Sequence, residues 1–520
     1  MRKLQIPLVM LTFCFLSLIS CKKETVKSPE EIESKDTFES NQIASFFGKH
    51  PKLASFKTQV EKLYEKHAHH YLWYDRSGIN EVGELLYSKI NNLDDEGVPN
   101  TVPYRVEFNT AVEDAEKHSK PDAETELLFS AMYFYYADKV LHGIDPEQSK
   151  ELGWYLPRKK MSYVNYLDSL LIRPSLINKD EKEIMGQYYR LREVLQRYRD
   201  IQKKGGWKTV VFNSKNSPKV GDSSPAIAQM RERLAITGDL KSDSKSTVFD
   251  KELADGIIAF KTRMGDDHPT DKITPNFIKD INVSVGDRIK TIIVNMERCR
   301  WISTDLTKAD EYIVINIPSY RLTYFRDKQI ALTMGVVVGK ELNKTVVFSG
   351  MMKFIVFSPY WNVPKSIVEK EIEPGLVEDP NYLENHDMER NGDEIRQKPG
   401  PKNSLGLVKF LFPNNNNIYL HDTPAKSLFN KQDRAFSHGC IRLEKPRDLA
   451  IEILKRDKTW TPEKIDEAMN AGDEKWVTLK KRIPVYIGYF TAWVDNKGAV
   501  HFYEDIYNRD NRLAAMVYDN

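Results

Sequence analysis

Cysteine is scarce in this chain: four positions in 520 residues, Cys14, Cys21, Cys299 and Cys440. Thiols so few and so far apart make neither a disulfide framework nor a C-x-x-C metal pair. Charge of one sign is also lacking, with 77 Lys and Arg against 75 Asp and Glu. The chain therefore has no polyelectrolyte character, and no nucleic-acid partner is expected. The one long apolar run, "IPLVMLTFCFLSLIS", is short for a stable membrane span. What is left is globular composition, 41% hydrophobic and 29% charged, in a chain too long for one core and so divided into several units.

Arg2 and Lys3 precede that apolar run, which ends in small residues just before Cys21; this is the layout of an export signal. Leu18-Ile19-Ser20-Cys21 resembles the lipobox of bacterial lipoproteins. The resemblance implies cleavage after residue 20, acylation of Cys21, and an exported, membrane-anchored chain facing the periplasm or cell wall. The charged stretch "KKETVKSPEEIESKDTFESN" has too few apolar residues to fold, so 21–45 reads as a flexible linker behind a 1–20 signal peptide. Cleavage removes Cys14 and lipidation consumes Cys21. Cys299 and Cys440 are then the free thiols, and an exported protein either buries such a thiol or uses it.

Residues 46–215 repeat apolar side chains three and four apart, as in "FKTQVEKLYEKHAHHYLWYDR", and read as a helical scaffold. Aromatics at helical spacing belong to a core, so His69, His70 and His142 are given no chemistry. Across 216–282, "MRERLAITGDL", "FDKELADGIIAFKTRMG" and "ITPNFIKDIN" are similar to the small three-helix peptidoglycan-binding module. Ile257, Ile258, Phe260 and Lys261 depart from its usual residues, so the resemblance implies the fold more than glycan binding. A scaffold helix follows at 283–305, where Ile289, Ile292, Ile293 and Met296 form one face. Cys299 lies near that stripe and is expected to be buried and inert.

From residue 306 the period changes to β-branched and aromatic runs such as "YIVINIP" and "TVVFSGMMKFIVFSP". A mostly β domain is expected over 306–487, followed by a C-terminal extension, 488–520. Within it, 370–404 is charged and without a period, and is read as an inserted flap.

The chemistry concentrates around "IYLHDTP" and "RAFSHGCIRLEKPRDLA". A thiol that attacks an acyl carbon needs an imidazole within hydrogen-bond reach, preferably near positive charge. His421, His438 and Arg442 offer both, and a hairpin-length return of sixteen residues separates His421 from Ser437. Gly439 before Cys440 allows backbone N–H groups to face a tetrahedral oxyanion, and Ser437 offers a further hydroxyl donor. Spacing alone does not choose between His421 and His438 as base. A buried structural cysteine fits this polar setting poorly, and a zinc site of His421, His438 and Cys440 lacks a second cysteine; the thiol nucleophile is the favoured reading.

These two segments resemble the active-site signature of the L,D-transpeptidases, H-x(14–17)-[ST]-H-G-C. "GVVVGK", "SPYWNVPKSI", "GPKNSLGLVKFLFPN" and "NMERCRW" extend the similarity to the large subfamily with a helical scaffold, a peptidoglycan-binding-like module and a capping insertion. The fold so implied is α+β and multidomain. The resemblance assigns Cys440 as nucleophile and His421 as general base, the latter oriented by the carbonyl of Asp422. Ser437, His438 and Gly439 complete the signature, His438 shaping the site rather than serving as sole base. Tyr419 and Trp361 would line the pocket, and Arg442 would steady the loop or a substrate carboxylate. The activity implied is peptidoglycan L,D-transpeptidation through a cysteinyl thioester, releasing D-Ala from a tetrapeptide stem and forming 3-3 cross-links, without metal or cofactor. Alternatives are an L,D-carboxypeptidase, an enzyme that attaches proteins to or releases them from peptidoglycan, and a non-catalytic wall-anchoring lipoprotein.

Overall fold

The computed structural model of the chain describes residues 36–519 apart from 100, 119 and 213–216. The expected signal peptide, 1–20, and Cys21 lie outside the described residues. Among the described residues no helix is long and apolar enough to cross a membrane.

The chain is packed from Phe38 onward, inside the stretch read as linker. Phe38 is buried, with its ring edge-on to Tyr64 at 4.8 Å, and a helix begins at Asn41 with Ile43, Phe46 and Phe47 buried. Four apolar side chains among charges were enough to fold this segment onto the helical half. At the centre of that half is α1, Ala123–Tyr136, started by Asp122, whose side chain accepts from Thr125 N–H. From Leu127 to Tyr136 every side chain of α1 is buried, as expected of a helix apolar on all sides. Glu126 is buried with them. It accepts from Tyr64 Oη at 2.7 Å and from the Leu72 and Trp73 N–H groups at 2.6 and 3.3 Å, and burial pushes its carboxyl up to about 7.

Residues 210–281 form a separate small core around Met230, Leu234, Ile257, Phe260 and Phe277. The long helix α3, Val285–Trp301, packs on α2, Gly186–Lys203, and on the C-terminal helix α4, Asp510–Asp519. Ser284 caps α3, and Cys299 on it is fully buried. Burial pushes that thiol up to about 12, the behaviour of an inert core cysteine.

The C-terminal half is a sheet built from β1 Glu311–Asn316, β2 Arg321–Arg326, β3 Gln329–Gly339, β4 Ser349–Phe357, β8 Val408–Leu411, β9 Leu420–His421, β10 Ala435–Ser437, β11 Ile441–Leu443 and β12 Lys475–Gly488; between β4 and β8, the insertion supplies β5 Trp361–Asn362, β6 Met388–Asn391 and β7 Glu394–Gln397. The sheet order is β10-β3-β11-β9-β8-β4-β12-β1-β2, and β2 also pairs with β3. Eight strands thus close into a ring, and β10 rides on the far end of β3. Alternation drives this: in β8, Val408 and Phe410 point inward and Lys409 and Leu411 do not, so a shift of one residue would turn the core face out.

The insertion is folded rather than irregular. Short helical turns over Lys365–Glu378 and Tyr382–Asn385 lead into the antiparallel pair β6–β7, with β5 as its third strand. Ile372, Ile395 and Val363 form its small core. Its elements are too short to establish a visible period, but "RNGDE" carries a hairpin turn, with Gly392 at φ 63°.

Candidate active site

His421 and Cys440 are brought together by parallel neighbours, not by a hairpin. In the β9–β11 register Leu420 faces Ile441 and His421 faces Arg442. The chain between them runs through a 3₁₀ turn, Lys426–Asn430, and adds β10 to β3 before returning. Leu420 and Ile441 point into the core and are fully buried. Tyr419, His421, Cys440 and Arg442 are the alternate positions, on the opposite face. The rings of Tyr419 and His421 lie 5.7 Å apart, and Tyr419 interacts with the Cys440 thiol through both its hydroxyl and its main chain. The thiol also meets the Asn417 carbonyl at 3.6 Å.

His421 is 4% exposed, and its Nδ1 donates to the Asp422 carbonyl at 2.5 Å. That bond fixes the tautomer with the proton on Nδ1 and leaves the Nε2 lone pair for a reacting group. Asp422 holds the carbonyl in place through its own side chain. Oδ2 accepts from Leu407 N–H at 2.9 Å, and Oδ1 accepts from Thr423 N–H at 2.7 Å and Lys426 Nζ at 2.6 Å. The anchoring carboxylate and Lys426 had no distinguishing signal in the sequence beyond lying next to His421.

Burial, reinforced by the Arg442 charge and opposed by the Asp422 carbonyl, pushes the His421 imidazole down to about 3. Burial also pushes the Cys440 thiol above its ordinary value, against hydrogen bonds from Tyr419 and the Arg442 charge. On this face a neutral thiol and a neutral imidazole are therefore favoured, rather than the partial thiolate expected from charge alone. Arg442 has no ion-pair or hydrogen-bond partner among the described residues, and its Nε is buried without one. An unpaired guanidinium beside a thiol can stabilise negative charge that develops there or bind a carboxylate.

Gly439 adopts φ +118°, a conformation side chains rarely tolerate. The Ser437 hydroxyl does not face the site: it donates to the Cys440 carbonyl at 2.5 Å and accepts from the Gly439 N–H at 3.1 Å. Ser437 thus shapes the loop from within instead of supplying an oxyanion donor. With the Gly439 N–H engaged, the Cys440 N–H has no acceptor among the described residues. His438 is half exposed and turns to the insertion, its Nε2 3.6 Å from Glu371 Oε1. Trp361 is half-buried in the insertion's small core with Ile372 and Ile395, and no described contact joins it to Cys440, His421 or Arg442. Among the described residues no group of three or more His, Cys, Asp or Glu is arranged to hold a metal ion.

Two family models match the chain: an L,D-transpeptidase catalytic domain over residues 310–465 and a scaffold domain over residues 58–195. A Haemophilus influenzae protein named "Putative L,D-transpeptidase" is 32% identical over 222 residues, which is 39% of this chain; the chain spans 45% of that relative's length. Among solved structures, an L,D-transpeptidase from Mycobacterium smegmatis is 14% identical, covering 34% of this chain and 58% of its own, with a TM-score of 0.20. One from Stackebrandtia nassauensis is 14% identical, covering 53% and 97%, with a TM-score of 0.22. Similarities this distant add nothing to the geometry above. Residues 310–465, which carry His421 and Cys440, thus match the L,D-transpeptidase catalytic domain, and the scaffold-domain match precedes them.

Proposed function

We propose that the chain is a peptidoglycan L,D-transpeptidase in which Cys440 is the nucleophile and His421 the general base. The observation that carries this is one strand face holding the thiol, a desolvated imidazole with its Nδ1 committed to the Asp422 carbonyl, and an unpaired guanidinium. As Sγ attacks the carbonyl carbon of the third residue of a tetrapeptide stem, Nε2 takes the thiol proton. The oxyanion accepts from the Cys440 N–H, with the Tyr419 hydroxyl beside the sulfur as a further donor. Collapse breaks the amide C–N bond, the proton on His421 passes to the departing D-Ala amine, and a thioester remains. The amine of a second stem then gives a proton to His421 and attacks the thioester. The new amide is a 3-3 cross-link, and the thiol is regenerated with that proton. One amide replaces another, so no nucleotide is consumed. Arg442 serves as the counter-charge for developing thiolate or for a stem carboxylate.

The insertion acts as a lid over the loop through Glu371 and His438, keeping water from the thioester. Deleting residues 370–404 then raises hydrolysis relative to transfer; an unchanged ratio removes this role. Leu18 to Cys21 support export and a lipid anchor on Cys21, which metabolic labelling with a fatty acid reads directly, since Cys21→Ala abolishes the label.

The reading is tested by mixing the chain from residue 22 onward with a carbapenem and measuring intact mass. One covalent adduct that disappears in Cys440→Ala is expected. A wild-type protein that takes up none is not an active enzyme of this kind.

A further inference from the structure

The peptide group between Gly439 and Cys440 is planar and trans, so its carbonyl and N–H point in opposite directions. Whatever fixes the Gly439 carbonyl therefore also aims the Cys440 N–H. The group that fixes it comes from neither strand of the site. Thr345, fully buried, donates its hydroxyl to the Gly439 carbonyl at 2.9 Å and accepts from the Gly339 N–H at 2.9 Å. Tyr507, 1% exposed, holds the same knot: its hydroxyl donates to the Gly339 carbonyl at 2.6 Å and accepts from the Thr345 N–H at 3.1 Å. Tyr507 is itself braced by Tyr489, whose hydroxyl accepts from the Tyr507 N–H at 3.0 Å and donates to Asp505 at 2.6 Å. No room is spare. A Cβ at Gly339 would stand 2.0 Å from the Asn343 carbonyl oxygen and 3.1 Å from the Gly439 Cα.

We propose that Thr345 and Tyr507 are positioning residues for acyl transfer, which orient the Gly439–Cys440 peptide so that the Cys440 N–H faces the oxyanion. This rests on the reading of Cys440 as an acylated nucleophile. It also makes the segment that follows the matched catalytic domain, which ends at residue 465, part of the catalytic unit, because Tyr507 holds Thr345 and Gly339 from there. Thr345→Val keeps the side chain's shape and removes the hydroxyl. The freed Gly439 carbonyl then lets the peptide rotate away from its pose.

Attack on a carbonyl needs the oxyanion donor, whereas alkylation by iodoacetamide, a displacement at saturated carbon, does not. Acylation by a carbapenem and alkylation of Cys440 are therefore measured side by side in the chain from residue 22 onward. In Thr345→Val acylation falls about 10- to 100-fold, somewhat less than the loss of a whole oxyanion donor, while alkylation stays within about threefold. Thr345→Ser, which restores the hydroxyl, recovers the acylation rate. Tyr507→Phe, which leaves the Thr345 hydroxyl but loosens its support, lowers acylation in the same selective way and keeps the assignment testable if Thr345→Val does not fold. Wild-type acylation with equal acylation in Thr345→Val and Tyr507→Phe overturns the positioning role alone. A parallel fall of acylation and alkylation in the folded variants also overturns it, because the residues would then merely hold the fold. Alkylation without acylation in the wild type overturns the proposed function itself.

Discussion

The electrostatics of His421 make a prediction that separates this site from an ordinary thiolate–imidazolium pair. The imidazole is pushed from 6.5 to about 3, a shift worth about 5 kcal/mol at roughly 1.4 kcal/mol per unit. At pH 5 an ordinary imidazole is about 97% protonated, whereas His421 is about 1% protonated. The sign follows directly: a depressed value disfavours the charged form, so the base stays available as pH falls until it approaches the depressed value. The thiol is pushed upward, so it too keeps one protonation state across neutral pH. With both reactants neutral, the acylation rate is level. Stopped-flow acylation by a carbapenem between pH 5 and 8 is expected to vary by less than about threefold. A fall of tenfold or more between pH 7 and 5.5 with a midpoint near 6.5 would refute the reasoning, because His421 would then be a solvated imidazole. Arg442→Gln supplies the internal check. Removing the cation that helps depress His421 moves the acid limb upward, although burial, the larger cause, still holds the imidazole down.

Three further outcomes follow from other parts of the chain. Gly439→Ala forces a side chain into φ +118° at a cost of about 1–3 kcal/mol, so acylation should fall by about 5- to 150-fold at one active site per chain, read by burst amplitude and rate. Glu126, raised in the folded state to about 7, holds a proton that the unfolded chain releases. Its contribution is full below the ordinary carboxyl value and is lost as pH rises through 7; Glu126→Gln should remove that dependence and exceed the wild type at pH 8 by up to about 3 kcal/mol in urea unfolding. In the chain from residue 22 onward, a chromogenic disulfide reagent should titrate one thiol before unfolding and two after, because Cys440 is partly exposed and Cys299 is fully buried.

The periods of the sequence carried much of the architecture. Three-and-four spacing marked the helices, including the face of α3 that buries Cys299, and alternation marked strands such as β8. "HGC" with an upstream histidine marked the two groups proposed to react, because their chemistry is local to a few residues. Contacts between distant segments left no local pattern. Thr345 meets Gly439 across 94 residues and Tyr507 across 162, and neither segment carries a motif. Ser437 looked like an oxyanion donor because its hydroxyl is next to the loop, but the positive φ of Gly439 turns the backbone groups back onto it. The resemblance set Trp361 along the pocket; in the fold it pairs with Gln397 and belongs to the insertion. The charged composition of that insertion concealed a hairpin because three core side chains suffice to fold it.

The central claim is an acyl-enzyme on Cys440 made from a tetrapeptide stem. Mixing the chain from residue 22 onward with a tetrapeptide muropeptide and recording intact and peptide mass tests it most directly. Release of D-Ala is expected, with a transient adduct equal to the donor less D-Ala on the peptide containing Cys440, its absence in Cys440→Ala, and 3-3 dimers as product. Dimers formed without an adduct on Cys440, or an adduct on any other residue, would contradict it.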